Sequence, residues 1–169
     1  MNLLDQITTV QQPTAILQQQ NKPIADIEPA NLRYAIYVRK STEEDTKQVQ
    51  SIDDQLAECK LTAQKHRIVF LEENIIRKSG STKVSGIRPL FRKMLQRISD
   101  DELDGIIAWH PDRLSRNMLE AGEIIDMLDK YVIRDLKFAN HPFSNHPAGK
   151  MLLGILFVTP RRIELRFPG

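Results

Sequence analysis

Three short fragments of the chain carry residue types suited to phosphate esters: Tyr37-Val-Arg-Lys-Ser41, Arg88-Pro-Leu-Phe91 and Asp112-Arg-Leu-Ser-Arg116. A phosphodiester under attack gathers negative charge on its non-bridging oxygens, and a planar guanidinium neutralises that charge with two aligned hydrogen bonds. Arg39, Arg88, Arg113 and Arg116 would supply such a cage. Clustered arginines also favour the alkoxide-like form of a neighbouring hydroxyl, otherwise a weak nucleophile. Ser41 is the hydroxyl so placed. Each fragment has a plainer reading as well: a Ser after a strand often only ends a turn, Asp112 could cap a helix, and the basic run from Arg77 to Lys93 could be solvated surface.

Other chemistries find less support. His141 and His146 flank Pro142 and Pro147 with no carboxylate or Cys at ligand spacing, so no metal site is expected. His66 and His110 have no evident partners. Neither a Gly-x-x-x-x-Gly-Lys-Ser/Thr segment nor a Gly-x-Gly-x-x-Gly segment occurs, so no nucleotide cofactor is expected, and no Gly-x-Ser-x-Gly elbow is present.

The elements that must position these residues follow from periodicity. Leu32 to Arg39, with Tyr34, Ile36 and Val38, reads as a first strand that ends just before Ser41. Ile52, Leu56, Cys59 and Ala63 recur at helical spacing behind Ser51, predicting a helix over 51–66. Ile68 to Leu71 supplies an expected second strand. Residues 77–93 hold Arg77, Lys78, Lys83, Arg88, Arg92 and Lys93 with no acid, and Ser79, Gly80, Ser81, Ser85 and Gly86 loosen the first half. A mobile basic loop is expected there, running into a helix that starts at Pro89 and presents Leu90, Phe91, Met94, Leu95 and Ile98. Gly105 to Trp109 reads as a buried parallel strand. A helix over 117–130 with Leu119, Ile124, Ile125 and Leu128 inward comes next, then a strand at Leu136 to Phe138. This alternation predicts an α/β fold: an open, mostly parallel sheet of four to five strands with flanking helices, binding ligands beyond the carboxyl ends of its strands.

The chain has 169 residues, 41% of them hydrophobic, enough for one core. A net charge of +2 does not by itself announce a nucleic-acid partner, so any phosphate-binding argument has to be local. A lone Cys59 excludes an internal disulfide, and no leader or long apolar span is evident. The expected location is cytoplasmic, with no membrane partner. Four parts are expected: a flexible Gln- and Pro-containing extension over 1–31, a folded unit over 32–148, an apolar helix over 149–158, and an irregular tail over 159–169.

In combination, Tyr37-x-Arg39-x-Ser41, Ser51-Ile-Asp-Asp-Gln55, Ser79-Gly80, Arg88-Pro89, Asp104-Gly105 and Asp112-Arg113-Leu-Ser-Arg116-Asn117 resemble the resolvase/invertase family of serine site-specific DNA recombinases, in order, over about 32–158. The resemblance implies a resolvase-like catalytic domain in which Ser41 forms a phosphoseryl bond to the 5′ side of cut DNA. It further implies that Arg39, Arg113 and Arg116 activate the phosphate, and that Arg88 arrives from the mobile loop. Gln55 becomes an active-site amide, and Asp112 orients the arginines or relays a proton. Lys78, Lys83, Arg92, Lys93 and Arg97 are the expected DNA contacts, Arg97 matching a basic residue on the helix after Arg88. The implied partners are DNA and further copies of the chain, as dimers and tetramers on DNA.

Two departures stand out. Ile75 to Lys78 lie where many members carry an acid before the Ser-Gly pair. Pro160 breaks the helix that resembles the start of the family's oligomerisation helix, and no helix-turn-helix or zinc-ribbon segment follows. The chain is therefore expected to be a truncated or frameshifted product, or one exon-like piece of a split system. The alternative to an enzyme is a non-catalytic fragment that pairs with full-length recombinase and regulates it.

Overall fold

The computed structural model describes residues 28–40, 51–78, 88–115 and 117–158. Ser41, Ser79, Gly80, Lys83 and Arg116 lie outside the described residues, as do the extension before residue 28 and the tail after residue 158.

Four parallel strands form the sheet: β1 (Tyr34–Arg39), β2 (Ile75–Lys78), β3 (Gly105–Ala108) and β4 (Asp135–Phe138), in the order β2-β1-β3-β4. The helices are α1 (Ile52–Lys65), α2 (Pro89–Ser99), α3 (Met118–Asp129) and α4 (Pro147–Val158). Every β1 residue is buried, as expected of a strand covered on both faces. On one face Tyr34, Ile36, Val38, Ile107 and Trp109 pack with Leu56, Cys59 and Ala63 of α1. On the other, Ala35, Tyr37, Ile106, Ala108, Leu136 and Phe138 pack with the inner sides of α2, α3 and α4.

Sequence and structure agree on α1, whose start is capped by Ser51 Oγ accepting from the Asp54 amide at 3.0 Å. They differ at β2. Within Ile68–Leu71, Ile68 is buried but Val69 and Leu71 are 74% and 57% exposed, so that run makes a connection rather than a strand. The strand is Ile75–Lys78, which aligns Ile36 with Ile75 and Arg39 with Lys78. Arg77 and Lys78 therefore belong to the sheet edge and not to a loop. Two helix faces also turn. Leu90 is 45% exposed while Phe91, Met94, Leu95 and Ile98 are buried, and Leu119 is 80% exposed because the buried face of α3 runs through Ala121, Ile124 and Leu128.

The end of the sheet opposite the strand carboxyl termini is tied by charge. The side chain of Asp104, 3% exposed, accepts from the backbone amide of Arg33 at 2.8 Å and its Nε at 2.7 Å, and also pairs with Arg134. Beside it, a Cβ added to Gly105 would lie 2.6 Å from Tyr34 Cε1, so only glycine lets that ring reach Asp135, to which it donates at 2.5 Å. At the start of α4 a Cβ on Gly149 would sit 2.1 Å from the Ser144 carbonyl oxygen. Glycine there allows the chain to fold back before the helix.

Because β2 and β3 lie on opposite sides of β1, the strand order reverses between β1 and β3. A crevice opens at the carboxyl ends of such a pair. Arg39 ends β1 there, and residues 109–115 leave β3 there.

Candidate active site

The segment after β3 is built as a platform. Trp109 donates from Nε1 to Glu58 Oε2 of α1 at 2.6 Å, fixing the indole against the helix. Pro111–Arg113 forms a single 3-10 turn, and the Arg113 guanidinium lies 5.3 Å from the Trp109 ring centroid. Asn117 then caps α3, its Oδ1 accepting from the Glu120 amide at 2.9 Å.

Arg39 grips this turn. Its Nε donates to the Arg113 carbonyl at 3.0 Å and its Nη2 to the Asp112 carbonyl at 2.5 Å. Gln55, fully buried on the first turn of α1, donates from Nε2 to the Arg39 carbonyl at 3.2 Å. The end of β1 is thus held from α1 on one side and from the 111–113 turn on the other, one residue before Lys40. Asp112 keeps its carboxylate at the rim, with Oδ1 3.1 Å from His110 Nδ1 and 3.5 Å from Arg113 Nε.

Arg88 reaches the same turn from below. Its guanidinium is buried; Nη1 donates to Glu120 Oε2 at 2.6 Å and to the Leu114 carbonyl at 2.7 Å. Nη2 donates to Tyr37 Oη at 3.0 Å and to the Arg113 carbonyl at 3.2 Å, and the Phe91 ring centroid lies 3.9 Å away. Arg88 therefore stands beneath the crevice in this structure, joining β1, α2, α3 and the turn after β3. Its place at the start of α2 agrees with the sequence, but its guanidinium faces the core.

The structure brings Arg39, Gln55, Asp112, Arg113 and Arg88 around one turn. Arg113 is only 3% exposed, because it lies along Trp109 and beside Asp112. The expected DNA contacts are scattered. Lys78 ends β2 half-buried, and Lys93 is exposed on α2. Arg92 pairs with Glu123 of α3. Arg97 sits far along α2, bonded to Glu102 at 2.8 Å and to Asn74 Oδ1 at 2.9 Å, away from the crevice.

Sequence reasoning missed Glu120, Glu58 and the pairing of His110 with Asp112. Glu120 stands three residues after a capping Asn, a position that an acid occupies for the sake of the helix start alone, so nothing marked it as the counterion of a distant arginine. His146 caps α4, its Nδ1 accepting from the Gly149 amide at 3.2 Å.

The family model described as "Resolvase, N terminal domain" matches residues 34–159. A Bacillus subtilis (strain 168) protein named "Putative DNA recombinase" is 33% identical over 122 residues, covering 72% of this chain. The chain spans only 23% of that relative's length. In fold the chain is similar to the N-terminal catalytic domain of TP901-1 integrase, known from a crystal structure, with a TM-score of 0.57 and 24% identity over 73% of this chain and 90% of that one. With most of its length matched, this chain belongs to the resolvase N-terminal domain family.

Proposed function

We propose that the chain breaks and rejoins DNA, with Ser41 as the nucleophile. The reading rests on one observation: Arg39, Gln55, Asp112 and Arg113 meet within hydrogen-bonding reach at the β1–β3 crevice, and Ser41 follows Arg39 by two residues. Ser41 Oγ attacks the phosphorus, the bond to the 3′ oxygen breaks, and that oxygen leaves as a hydroxyl after taking up a proton. The product is a phosphoserine ester on the 5′ side. A 3′ hydroxyl from another strand then attacks the same phosphorus, the Ser41 Oγ–P bond breaks, and serine recovers its proton. One phosphodiester is exchanged for another, so the bond energy is conserved through the covalent link.

In this scheme the guanidinium donors of Arg39 and Arg113, with Arg116, take the non-bridging oxygens, and Asp112 orients them. Arg39 spends two donors on carbonyls of the 111–113 turn, so engaging a phosphate exchanges those bonds for charge-assisted ones. DNA and further copies of the chain are the partners, the latter through the apolar side of α4.

The test fuses a DNA-binding domain of known site to Gly169 and supplies duplexes carrying two inverted copies of that site around a randomised centre. After denaturation, a nucleotide adduct on Ser41 found by mass spectrometry, and missing from Ser41→Ala, is the expected result. A fusion that occupies its sites yet never yields the adduct overturns the proposal.

A further inference from the structure

We propose that His110 is a positioning residue that couples the site to pH by exchanging its bond between two atoms of the same partner, Asp112. This inference rests on the Ser41 reading above. His110 Nδ1 lies 3.1 Å from Asp112 Oδ1 and 3.3 Å from the Asp112 backbone nitrogen. One nitrogen cannot serve both at once. With a proton on Nδ1 it donates to the carboxylate; without one it accepts from the amide and caps the 111–113 turn. In the second state its lone pair faces a carboxylate oxygen, which is repelled.

The consequence falls on Arg113. Its Nε approaches the same Oδ1, at 3.5 Å. When His110 is protonated it takes that oxygen and adds a positive charge beside the crevice, weakening the hold of Asp112 on Arg113 and favouring a phosphate there. When His110 is neutral, Asp112 turns to Arg113 and occupies it. Protonation therefore favours the attack.

Among the described residues, the charged and titratable groups around His110 are few. From the turn, Asp112 and Arg113 face His110, and His141, after β4, meets it edge-on with ring centroids 6.2 Å apart. From β1, Arg39 engages the Asp112 carbonyl. Glu58 of α1 is held by Trp109, and the single charged residue of α4, Lys150, pairs with Asp129.

The experiment compares the Ser41 adduct rate of the fused full chain with that of His110→Asn between pH 8 and pH 6. Asparagine keeps a good cap and cannot ionise. The parent-to-variant rate ratio is expected to rise about tenfold as the pH falls, the worth of one charge-assisted hydrogen bond. Separately, the ¹³C resonance of the Asp112 carboxylate is followed in both chains without DNA. It is expected to move over the same range in the parent and to stay flat in His110→Asn. A constant rate ratio, or a carboxylate signal that moves equally in both chains, overturns the proposal. If the carboxylate responds as expected but no Ser41 adduct forms at any pH, the Ser41 reading is what has failed, and the catalytic part of the His110 role fails with it.

Discussion

Arg88 shows how much an arginine's surroundings decide its role. Its ion pair with Glu120 is almost fully enclosed, with side chains 2% and 6% exposed, and its two terminal nitrogens also donate to Tyr37 and two carbonyls. Removing one partner of such a pair leaves an uncompensated buried charge, which costs about 3–5 kcal/mol. Arg88→Met is therefore expected to lower the unfolding free energy by about that amount in urea titrations, and adding Glu120→Leu to recover most of it. An unchanged midpoint for Arg88→Met would mean that the guanidinium is not held in the core. Asp104 makes a different kind of prediction. Burial pushes its carboxyl up, but hydrogen bonds from the Arg33 side chain and backbone, with the charges of Arg134 and Arg33, outweigh that and leave it below its ordinary value. A carboxyl depressed in the folded state contributes stability above its unfolded pKa and loses it as the pH falls through the folded value. Asp104→Asn should thus be less stable than the parent at neutral pH, with the gap narrowing in acid. A gap that stays constant to low pH would remove Asp104 from this account.

Three helices end alike. Arg67, Asp101 and Tyr131 follow the ends of α1, α2 and α3 with φ of 56°, 58° and 55°, and in each case the next amide reaches back over the last turn, as Ile68 to Ala63, Glu102 to Arg97 and Val132 to Met127. These are left-handed caps that usually employ glycine, and a side chain there carries a backbone penalty of about 1–2 kcal/mol. Arg67→Gly and Tyr131→Gly are each expected to raise stability by about 1 kcal/mol in urea unfolding, net of the entropy that glycine adds to the unfolded chain. Destabilisation by both would show that the side chains contribute more than the strain costs. The same caps explain part of what the sequence concealed, since with no glycine at these positions the helix ends had to be read from fading periodicity. Strands were legible where they were buried on both faces, as in β1 and β3. β2 was not: it is a four-residue edge strand, two of its residues are charged, and a more apolar run stood just before it. At the site, the strand order let the fragments of Arg39 and Arg113 converge, and the family resemblance added Asp112 beside them. The inward turn of Arg88 was hidden because its counterion lies 32 residues away on another element.

At the scale of the molecule, α3 and α4 both carry exposed apolar side chains. Met118 and Leu119 at the start of α3 are 70% and 80% exposed, and along α4 Met151, Leu152 and Ile155 are 72%, 47% and 48% exposed while Leu153 and Phe157 turn inward. No helix among the described residues is long and apolar enough to cross a membrane. Apolar side chains grouped this way on α4 favour contact with another protein surface over water, and a net charge of only +2 sets little electrostatic repulsion against a second copy. Burying them between two copies would contribute about 25 cal/mol for each Å² of apolar surface removed from water, before the cost of association. Replacing Met151 and Ile155, four residues apart on one side of the helix, with lysine places two like charges in that surface without touching the inward Leu153 and Phe157. In sedimentation experiments the parent chain is expected to associate as its concentration rises, whereas Met151→Lys/Ile155→Lys should hold close to its 19.5 kDa monomer mass with an unaltered urea midpoint. Association undiminished in that variant would move the contact to another surface, and the loss of folding together with association would mean that the outer face of α4 already contributes to the core.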